Sequence, residues 1–273
     1  MTIIFVMPGT ENSPENLNKQ DIQKLLQPFG GISFFAEPKT AVCLYLGEIW
    51  PAPPQLGLNP LPQLVQAATE LLQEAGVQLI CVAARAAAGF SWEDALRLSG
   101  YGDLQGLEFV NLAEATCVER PSELGLAIEN LSVPEVLLYS GCVINIAKLR
   151  VAEGQLLGSA LLNLQAAADL PAGEQKTRAL LDLYSIMQPD LQIVDCWRGS
   201  KGLQPQQKSV FLAGRDAVAL DLVTAAVAGL PAESLEYLTL AAQYGLGCAN
   251  VGDIHVVGEG LAELFGLPDM IEE

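Results

Sequence analysis

Two aspartates stand in the most apolar part of this chain, in the segment SVFLAGRDAVALD, which ends at Asp221. Asp221 falls in a predicted helix over residues 217–228 whose other residues are all apolar or small. A helix of this composition is buried on most of its sides, and a buried carboxylate needs a partner or loses its charge. The positions three and four residues away carry no cation, so the partner must come from elsewhere in the fold. Asp221 therefore marks a candidate site.

Asp216, the first aspartate of this segment, directly precedes the same predicted helix. It can accept hydrogen bonds from the first N–H groups of the helix as an N-cap, or it can face a ligand. The two aspartates are five residues apart, which is about 140° around a helix, so they cannot chelate one ion without other elements. For Asp221 we weigh a buried ion pair with Lys148 or Arg215 against a role in ligand binding.

Further polar residues lie on predicted elements or in the loops beside them: Asn145, Lys148, Asn163, Asp195 and Lys201. Lys148 lies among aliphatic residues and is able to meet a carboxylate or an anion, although lysines more often extend to the surface. Asn145 and Asn163 either orient a ligand or bond to nearby backbone. Asp195 ends a predicted strand, and Asp216 follows another. Because ligands of open α/β sheets bind beyond the carboxyl ends of strands, we expect these candidates to converge there.

The familiar catalytic and cofactor motifs are missing from the sequence. It contains no G-x-x-x-x-G-K-[ST] phosphate loop, no G-x-S-x-G turn and no H-E-x-x-H pair. The glycines of YGLGCANVG follow a predicted helix instead of a strand, which argues against a dinucleotide fingerprint. The single histidine, His255, lies in an apolar strand pattern, so no histidine base is evident. We therefore predict neither a cofactor nor a resident metal ion.

The charge of the chain limits its partners. It has 32 acidic and 14 basic residues and a formal net charge of -18, with the acids scattered along the sequence. This balance favours solubility and argues against nucleic acid or an anionic membrane as a partner. No uninterrupted apolar stretch reaches the roughly 18 residues of a membrane-spanning helix. Arg198 and Lys201 form a local basic spot that is compatible with a small anionic ligand.

The cysteines and the first residues bear on the compartment. The six cysteines lie far apart, mostly beside aliphatic residues, and no C-x-x-C pair occurs. This spacing predicts reduced, mostly buried thiols and no intrinsic iron–sulphur or zinc site. The opening MTIIFVMPGT is typical of a strand and lacks the basic leader of a signal peptide. We expect a cytoplasmic protein.

The hydrophobic pattern predicts an α/β fold with a mainly parallel sheet and helices on both of its faces. The predicted strands cover residues 3–6, 41–46, 78–83, 108–111, 136–139, 191–195, 210–212 and 254–257. The predicted helices cover residues 16–29, 61–75, 156–170, 177–187, 217–228 and 235–244. We treat 1–273 as a single domain, with two lobes joined near residues 113–134 as the alternative. The proline-rich residues 48–62 predict a long loop that either rims a site or makes a rigid surface connection.

A set of ordered segments resembles the domain of unknown function 362 family, whose members are uncharacterised α/β proteins often associated with ferredoxin-like iron–sulphur segments. AGRDAVALD, LAAQYGLG and the closing IHVVG are similar to the family's G-x-D-P-V-A-x-D and A-x-x-x-G-L-G elements and final strand. IVDCWRGSKGLQP resembles a family strand that ends in Asp195 and leads to a loop with Gly202 and Pro205. The segment around Asn145, Lys148 and Asn163 resembles an Asn, Lys and Lys-Asn pattern.

The chain also departs from this family pattern, and the departures remove polar chemistry. Ala152 stands where the family tends to have a histidine, and Leu162 replaces the lysine of the later Lys-Asn pair. Tyr45 and Gly47 correspond to an expected basic residue and asparagine, and the small acidic turn after the LICV strand reads Ala83, Ala84, Arg85. The resemblance therefore implies a divergent member, without the iron–sulphur segment, in which much of the family's site has been lost.

Three functions stay open from the sequence. The resemblance and its departures favour a non-catalytic or weakly catalytic relative that binds a small anionic molecule or a protein partner. A second possibility is an enzyme that acts on an anionic metabolite through an Asp/Lys site, with or without a divalent metal. The third, which rests on the resemblance alone, is an accessory partner of an iron–sulphur protein.

Overall fold

A computed structural model of the chain describes residues 2–8, 17–35, 37–38, 40–151, 157–197, 210–231 and 234–258. Its main feature is an eight-stranded sheet with the order β12-β1-β11-β10-β7-β2-β3-β4. The strands are β1 Thr2–Pro8, β2 Ala41–Ile49, β3 Leu79–Ala86, β4 Glu108–Asn111, β5 Cys117–Pro121, β6 Asn130–Pro134, β7 Cys142–Lys148, β8 Arg150–Val151, β9 Leu157–Gly158, β10 Leu191–Asp195, β11 Val210–Gly214 and β12 Ile254–Gly258.

Helices cover both faces of this sheet, as predicted. They are α1 Lys19–Leu26, α2 Pro62–Glu74, α3 Trp92–Ser99, α4 Glu135–Tyr139, α5 Ala160–Asn163, α6 Lys176–Met187, α7 Ala217–Val227 and α8 Glu236–Gln243. The first three pack on one face, and the other five pack on the opposite face, so that the molecule has two hydrophobic cores separated by the sheet. Among the described residues, no helix combines the length and the apolar character that crossing a bilayer would require.

Strand direction decides which residues share an edge of the sheet. β11 runs antiparallel to both of its neighbours, β1 and β10, whereas every other neighbouring pair in the sheet is parallel. The sheet is therefore mainly parallel, as expected. We call the edge at which β2, β3, β7 and β10 end the carboxyl edge and the opposite one the amino edge. Because of its reversed direction, β11 ends at the amino edge.

The unit β2-α2-β3 shows how local sequence sets this architecture. α2 begins with Pro62, whose fixed φ suits the first helical position, and its buried residues recur at helical spacing, from Leu64 to Leu72. The chain leaves the helix through Gly76, which has a φ of +87°, a conformation that glycine adopts at little cost. β3 follows at once and pairs with β2 in parallel.

Three parts of the sequence-based assignment are wrong. Residues 136–139, predicted as a strand, belong to α4, because a short apolar run does not by itself distinguish a helix from a strand. The central strand that the prediction missed is β7, in which Asn145 and Lys148 interrupt the apolar pattern. Residues 156–170 do not form one helix, since the chain first pairs in the β8–β9 hairpin and then forms only the short α5.

The β5–β6 hairpin occupies most of residues 113–134, the stretch considered as a junction between lobes. Its Leu131 and Val133 are buried in the same core as α6 and α7. The loop of the hairpin is fixed to α6 by Asp182, a fully buried carboxylate that accepts hydrogen bonds from the Ser122 hydroxyl and from the N–H groups of residues 126, 127 and 128 at 2.7–2.9 Å. These contacts attach the hairpin firmly to the main core.

Candidate functional site

The final residues of β7 and β10 form a buried ion pair at the carboxyl edge. Lys148 and Asp195 stand opposite each other in the parallel register, and the Lys148 ammonium donates to Asp195 Oδ1 at 2.9 Å. The two side chains are 1% and 0% exposed. The register places the two side chains next to each other, and burial makes the pairing necessary. An unpaired Lys148 or Asp195 charge would destabilise the fold in this position.

The remaining hydrogen-bonding capacity of Asp195 is also used by the protein. The Leu61 N–H, at the start of α2, donates to Asp195 Oδ2 at 2.9 Å. The Trp197 N–H donates to Asp195 Oδ1 at 2.8 Å, and the Lys148 ammonium lies 5.9 Å from the centre of the Trp197 ring. Both carboxylate oxygens therefore have donors within the described chain, and the pair holds β7, β10 and α2 together.

The two candidate asparagines meet on the other face of the sheet. Asn163 on α5 donates through Nδ2 to Asn145 Oδ1 at 2.8 Å. Asn145 in turn donates through Nδ2 to Gln192 Oε1 at 2.7 Å and to the Ala160 carbonyl at 2.9 Å. All three amide side chains are buried. These bonds tie α5 to the centre of the sheet and satisfy amides that would otherwise be expensive to bury.

Gly47 provides the space for this amide cluster. A Cβ atom at Gly47 would lie 2.2 Å from Asn163 Oδ1, and its φ of +72° is itself unfavourable for other residues. The neighbouring Tyr45 hydroxyl donates to the Asn163 carbonyl at 2.8 Å. The chain departs from the family pattern at Tyr45 and Gly47, and both residues contact Asn163. Tyr45 bonds to its carbonyl, and Gly47 leaves room for its side chain.

Asp221 is fully buried and is held by uncharged donors. The N–H groups of Ala160 and Leu161, in the first turn of α5, donate to Asp221 Oδ1 and Oδ2 at 2.7 and 3.2 Å. The Tyr237 hydroxyl on α8 donates to Asp221 Oδ2 at 3.1 Å. The expected partner from elsewhere in the fold exists, but the proposed ion pair with Lys148 or Arg215 is wrong. Lys148 is bound to Asp195 on the opposite face, and Arg215 lies at the amino edge.

Burial raises the pKa of Asp221 from 3.8 to about 6, although hydrogen bonds from the Leu161 and Ala160 N–H groups and the Tyr237 hydroxyl lower it in part. The carboxyl is thus the kind of group that changes protonation near neutrality. Its donors in the described part of the chain include no cation, and desolvation is the dominant effect on its pKa. Asp221 thus bonds to the first turn of α5 and also has a raised pKa.

Asp216 caps α7 and also fixes the glycine-rich turn. Asp216 Oδ1 accepts the N–H groups of Val218 and Ala219 at 2.9 and 3.0 Å, and Oδ2 accepts the Cys248 N–H at 2.8 Å. A Cβ at Gly247 would lie 2.3 Å from Asp216 Oδ1, so glycine is required for this close approach. The N-cap interpretation accounts for these contacts.

A pocket of about 470 Å³ opens beside Asp216 at the amino edge. It is lined by Thr2, Ile3, Phe29, Tyr184, Gln188, Pro189, Asp190, Arg215 and Asp216. Arg215 is exposed and lies 5.5 and 6.0 Å from the ring centres of Phe34 and Phe35. It forms no ion pair with any residue that the structure describes. Gln188 adopts a φ of +32°, which is rare for a residue other than glycine.

The candidate residues do not converge on one place. Lys148 and Asp195 lie at the carboxyl edge, Asn145, Asn163 and Asp221 lie in the core of the opposite face, and Asp216 lies at the amino edge. The expectation that Asp195 and Asp216 share an edge is wrong because it assumed parallel strands, whereas β11 is antiparallel. Lys201, Arg198, Gly202, Pro205 and Ala152 lie outside the described residues.

Sequence reasoning missed several members of these clusters. Gln192 interrupts the apolar strand β10, and Tyr237 lies in α8, and neither gives a local sign of its partner. Asp182 could have been predicted as a buried carboxylate, because it lies in an apolar helical segment just as Asp221 does. Within the described ranges, no three His, Cys, Asp or Glu side chains are grouped so that they could hold a metal ion.

The proline-rich loop lies beside a second, larger groove. This groove of about 790 Å³ is bounded by Pro54 in the loop, by the start of α1, by one side of α2 from Pro62 to Glu70, and by Gly100 after α3. Asn59 closes the loop through paired hydrogen bonds with the backbone of Trp50, both at 2.8 Å. The loop is thus rigidly bonded where it leaves β2.

The solved structures that resemble this chain include two distant likenesses. The lactate racemase apoprotein from Thermoanaerobacterium thermosaccharolyticum is 9% identical with a TM-score of 0.45, and the match covers 78% of this chain and 54% of that one. A structural genomics target from Thermotoga maritima is 10% identical with a TM-score of 0.42, over 86% of this chain and 61% of that one. The chain therefore matches just over half of each structure's length. Likeness at this level supports no argument about function.

No curated protein matches the chain. A family model, in contrast, matches residues 47–226, a range that begins at the glycine beside Asn163 and includes the buried Lys148–Asp195 pair, Asp216 and Asp221. The match covers well over half of the chain and agrees with the motifs read from the sequence. The chain belongs to the family called Domain of unknown function (DUF362).

Proposed function

We propose that this chain is a binding member of its family, with little or no catalytic activity, and that its ligand is a small organic anion held in the amino-edge pocket beside Asp216. The observation that supports this proposal is the exposed guanidinium of Arg215 in a pocket of about 470 Å³. Pockets for small molecules are usually about 300–1,000 Å³. An arginine is well suited to bind a carboxylate or phosphate through two parallel hydrogen bonds.

The absence of strong catalytic activity is supported by how the other candidates are used. Each of the six that the structure describes already has hydrogen-bond partners within the protein. Recruiting Lys148 or Asp195 for chemistry would require breaking a buried ion pair, which costs several kcal/mol. These residues are better suited to stabilising the fold than to turning over a substrate.

The proposal is tested by measuring anion binding calorimetrically with inorganic phosphate, acetate, malonate and succinate as probes. We expect at least one probe to bind in a one-to-one ratio. Arg215→Ala should weaken that binding by roughly tenfold or more, which is the value of a charge-assisted hydrogen bond. Because Arg215 is exposed, its replacement should change the free energy of unfolding by only about 0.5 kcal/mol or less.

Arg97→Ala is the matched control, since Arg97 is also exposed but pairs with Asp94 on α3, away from the pocket. It should bind the probes like the unaltered protein. The proposal fails if none of the four anions binds, or if Arg215→Ala binds them as tightly as Arg97→Ala does.

An enzymatic function is the second candidate, and the altered acidity of Asp221 favours it. Carboxyls with a pKa near 6 recur in sites that transfer protons. If Asp221 acts in this way, Asp221→Asn abolishes turnover of an anionic metabolite although the variant is folded at the pH of the assay. Unchanged turnover in the folded variant would instead assign Asp221 to the fold.

A role as accessory partner of an iron–sulphur protein rests on the family resemblance. Purification of the tagged chain from its native cells, followed by iron analysis and absorption spectroscopy of the bound proteins, tests it. A co-purifying protein that carries a cluster would support this role over a simple anion-binding one.

A further inference from the structure

Two cysteines face each other on β2 and β3, towards the β4 side of the sheet. Cys43 on β2 and Cys81 on β3 are direct partners in the parallel register. Registered residues of neighbouring parallel strands place their side chains on the same face, and both cysteines contact the core that contains α4 to α8. The sequence, in which 37 residues separate them, gives no sign of this pairing.

The environments of the two thiols differ in a way that matters for reactivity. Cys43 is fully buried, whereas Cys81 is partly exposed. Interaction with Cys43 lowers the pKa of the Cys81 thiol, whereas interaction with Cys81 and burial raise the pKa of the Cys43 thiol. Cys81 is therefore the member that an oxidant can reach and the one better able to form a thiolate, the nucleophilic form of cysteine.

The spacing of the strands is compatible with a bond between the two sulfur atoms. Neighbouring strands lie about 4.7–4.9 Å apart, and the Cα atoms of disulfide-bonded cysteines are usually about 4.4–6.8 Å apart. The Cβ atoms of a disulfide are closer, on average about 3.8 Å, so closing the bridge requires a small local approach of β2 and β3. A bridge formed under such strain is readily reduced again.

We propose that Cys43 and Cys81 are a redox-active pair that hydrogen peroxide converts reversibly into a disulfide across β2 and β3. The Cys81 thiolate attacks one peroxide oxygen, the O–O bond breaks, and the departing hydroxide takes up a proton to become water. The Cys43 sulfur then attacks the Cys81 sulfenic acid, the S–O bond breaks, and a second water leaves with the Cys43 proton. Two thiols are oxidised by two electrons, and the peroxide is reduced to two waters.

The test uses the full chain carrying Cys117→Ser and Cys248→Ser, because these two cysteines are exposed or half-buried and would react separately. After treatment with one equivalent of hydrogen peroxide, the intact mass should fall by about two units, for two hydrogens lost. Peptide mapping should recover the Cys43 and Cys81 peptides joined to each other. Dithiothreitol should restore the original mass.

Cys142→Ser in the same background is the matched control. Cys142 lies on β7, the other neighbour of β2, and its buried side chain belongs to the opposite core. This variant should form the bridge normally. Cys81→Ser should not form it, and Cys43→Ala should instead leave a sulfenic acid on Cys81 that dimedone labels.

The proposal is overturned if the mapped peptides show no Cys43–Cys81 bridge, or if the mass loss persists in Cys81→Ser. Mapping of the background protein needs no substitution in the core, so the outcome does not depend on whether Cys43→Ala folds. The result is also independent of anion binding at the amino edge, because neither cysteine lines that pocket.

Discussion

Asp195 and Asp221 are both completely buried aspartates of the same chain, yet they are stabilised in different ways. Asp195 faces a cation, Lys148, at 2.9 Å. Asp221 is bonded, among the described residues, to backbone N–H groups and a tyrosine hydroxyl, none of which carries a charge. Each charge of a buried ion pair is stabilised by the other, whereas a buried carboxylate without a cation keeps its proton more readily. We therefore expect stability to fall when Lys148 or Asp195 is replaced alone, and to depend on pH through Asp221.

The largest effect is expected from Asp195→Asn. The substitution leaves the Lys148 ammonium buried without its counter-charge, which should lower the free energy of unfolding by about 3–5 kcal/mol. Urea unfolding followed by circular dichroism measures this change. The double variant Lys148→Met/Asp195→Asn removes both charges and should recover most of the loss. Failure of the double variant to recover would contradict the dependence of each charge on the other.

A pH-dependent effect of similar size is expected from Asp221. Its folded-state pKa of about 6 lies above the ordinary aspartate pKa of 3.8. The folded chain therefore binds the proton more tightly than the unfolded chain, and this carboxyl makes the fold less stable as pH rises from 4 to 6. A difference of about two units corresponds to about 3 kcal/mol. Urea unfolding at pH values from 4 to 7 should show that Asp221→Asn removes this decline.

Tyr237→Phe provides a control that keeps the carboxyl in place. It removes one hydrogen bond to the charged form, which should raise the pKa of Asp221 further and move the decline to higher pH. An identical pH profile for the unaltered protein and Asp221→Asn would show that the carboxyl titrates normally.

Asp216 is a partly buried carboxylate at a helix terminus, so its loss should cost less than the loss of Asp195. Replacement by alanine removes acceptors for the Val218, Ala219 and Cys248 N–H groups and should lower the free energy of unfolding by about 1–2 kcal/mol. Asp216→Asn retains an acceptor and should lose distinctly less. Equal losses for alanine and asparagine in thermal unfolding would argue against capping.

The smallest effect is expected where no charge is involved. Tyr45→Phe removes the hydrogen bond from the buried hydroxyl to the Asn163 carbonyl. A neutral bond of this kind contributes about 1 kcal/mol, which denaturant unfolding can resolve. A loss as large as that of Asp195→Asn would mean that the amide cluster matters as much as the ion pair.

The parts of the fold that could be predicted from the sequence depend on local patterns. β2, α2 and β3 were expected within a few residues of their observed bounds, because an apolar strand, an amphipathic helix and a closing glycine follow one another. For the two aspartates of AGRDAVALD, the sequence offers capping as one of two roles for Asp216 and requires a distant partner for Asp221, and the structure shows both contacts.

The remaining features depend on contacts between distant segments. β7 is buried on both faces although it contains Asn145 and Lys148, and those residues are tolerated because Gln192 and Asp195 stand opposite them on β10. No local sequence pattern predicts such a pairing between strands. The antiparallel direction of β11 is likewise set by its neighbours, and it separates Asp195 from Asp216 by placing them at opposite edges of the sheet.

The contact between Asp221 and α5 also bears on the order in which the chain folds. α5 has four residues, far fewer than the roughly 12–15 that an isolated helix needs to be even marginally stable. Its first N–H groups bond to a carboxylate 60 and 61 residues further along the chain. The helix should therefore form only once α7 has docked, late in folding. The amide hydrogens of Ala160 and Leu161 should then exchange with solvent only when this contact opens.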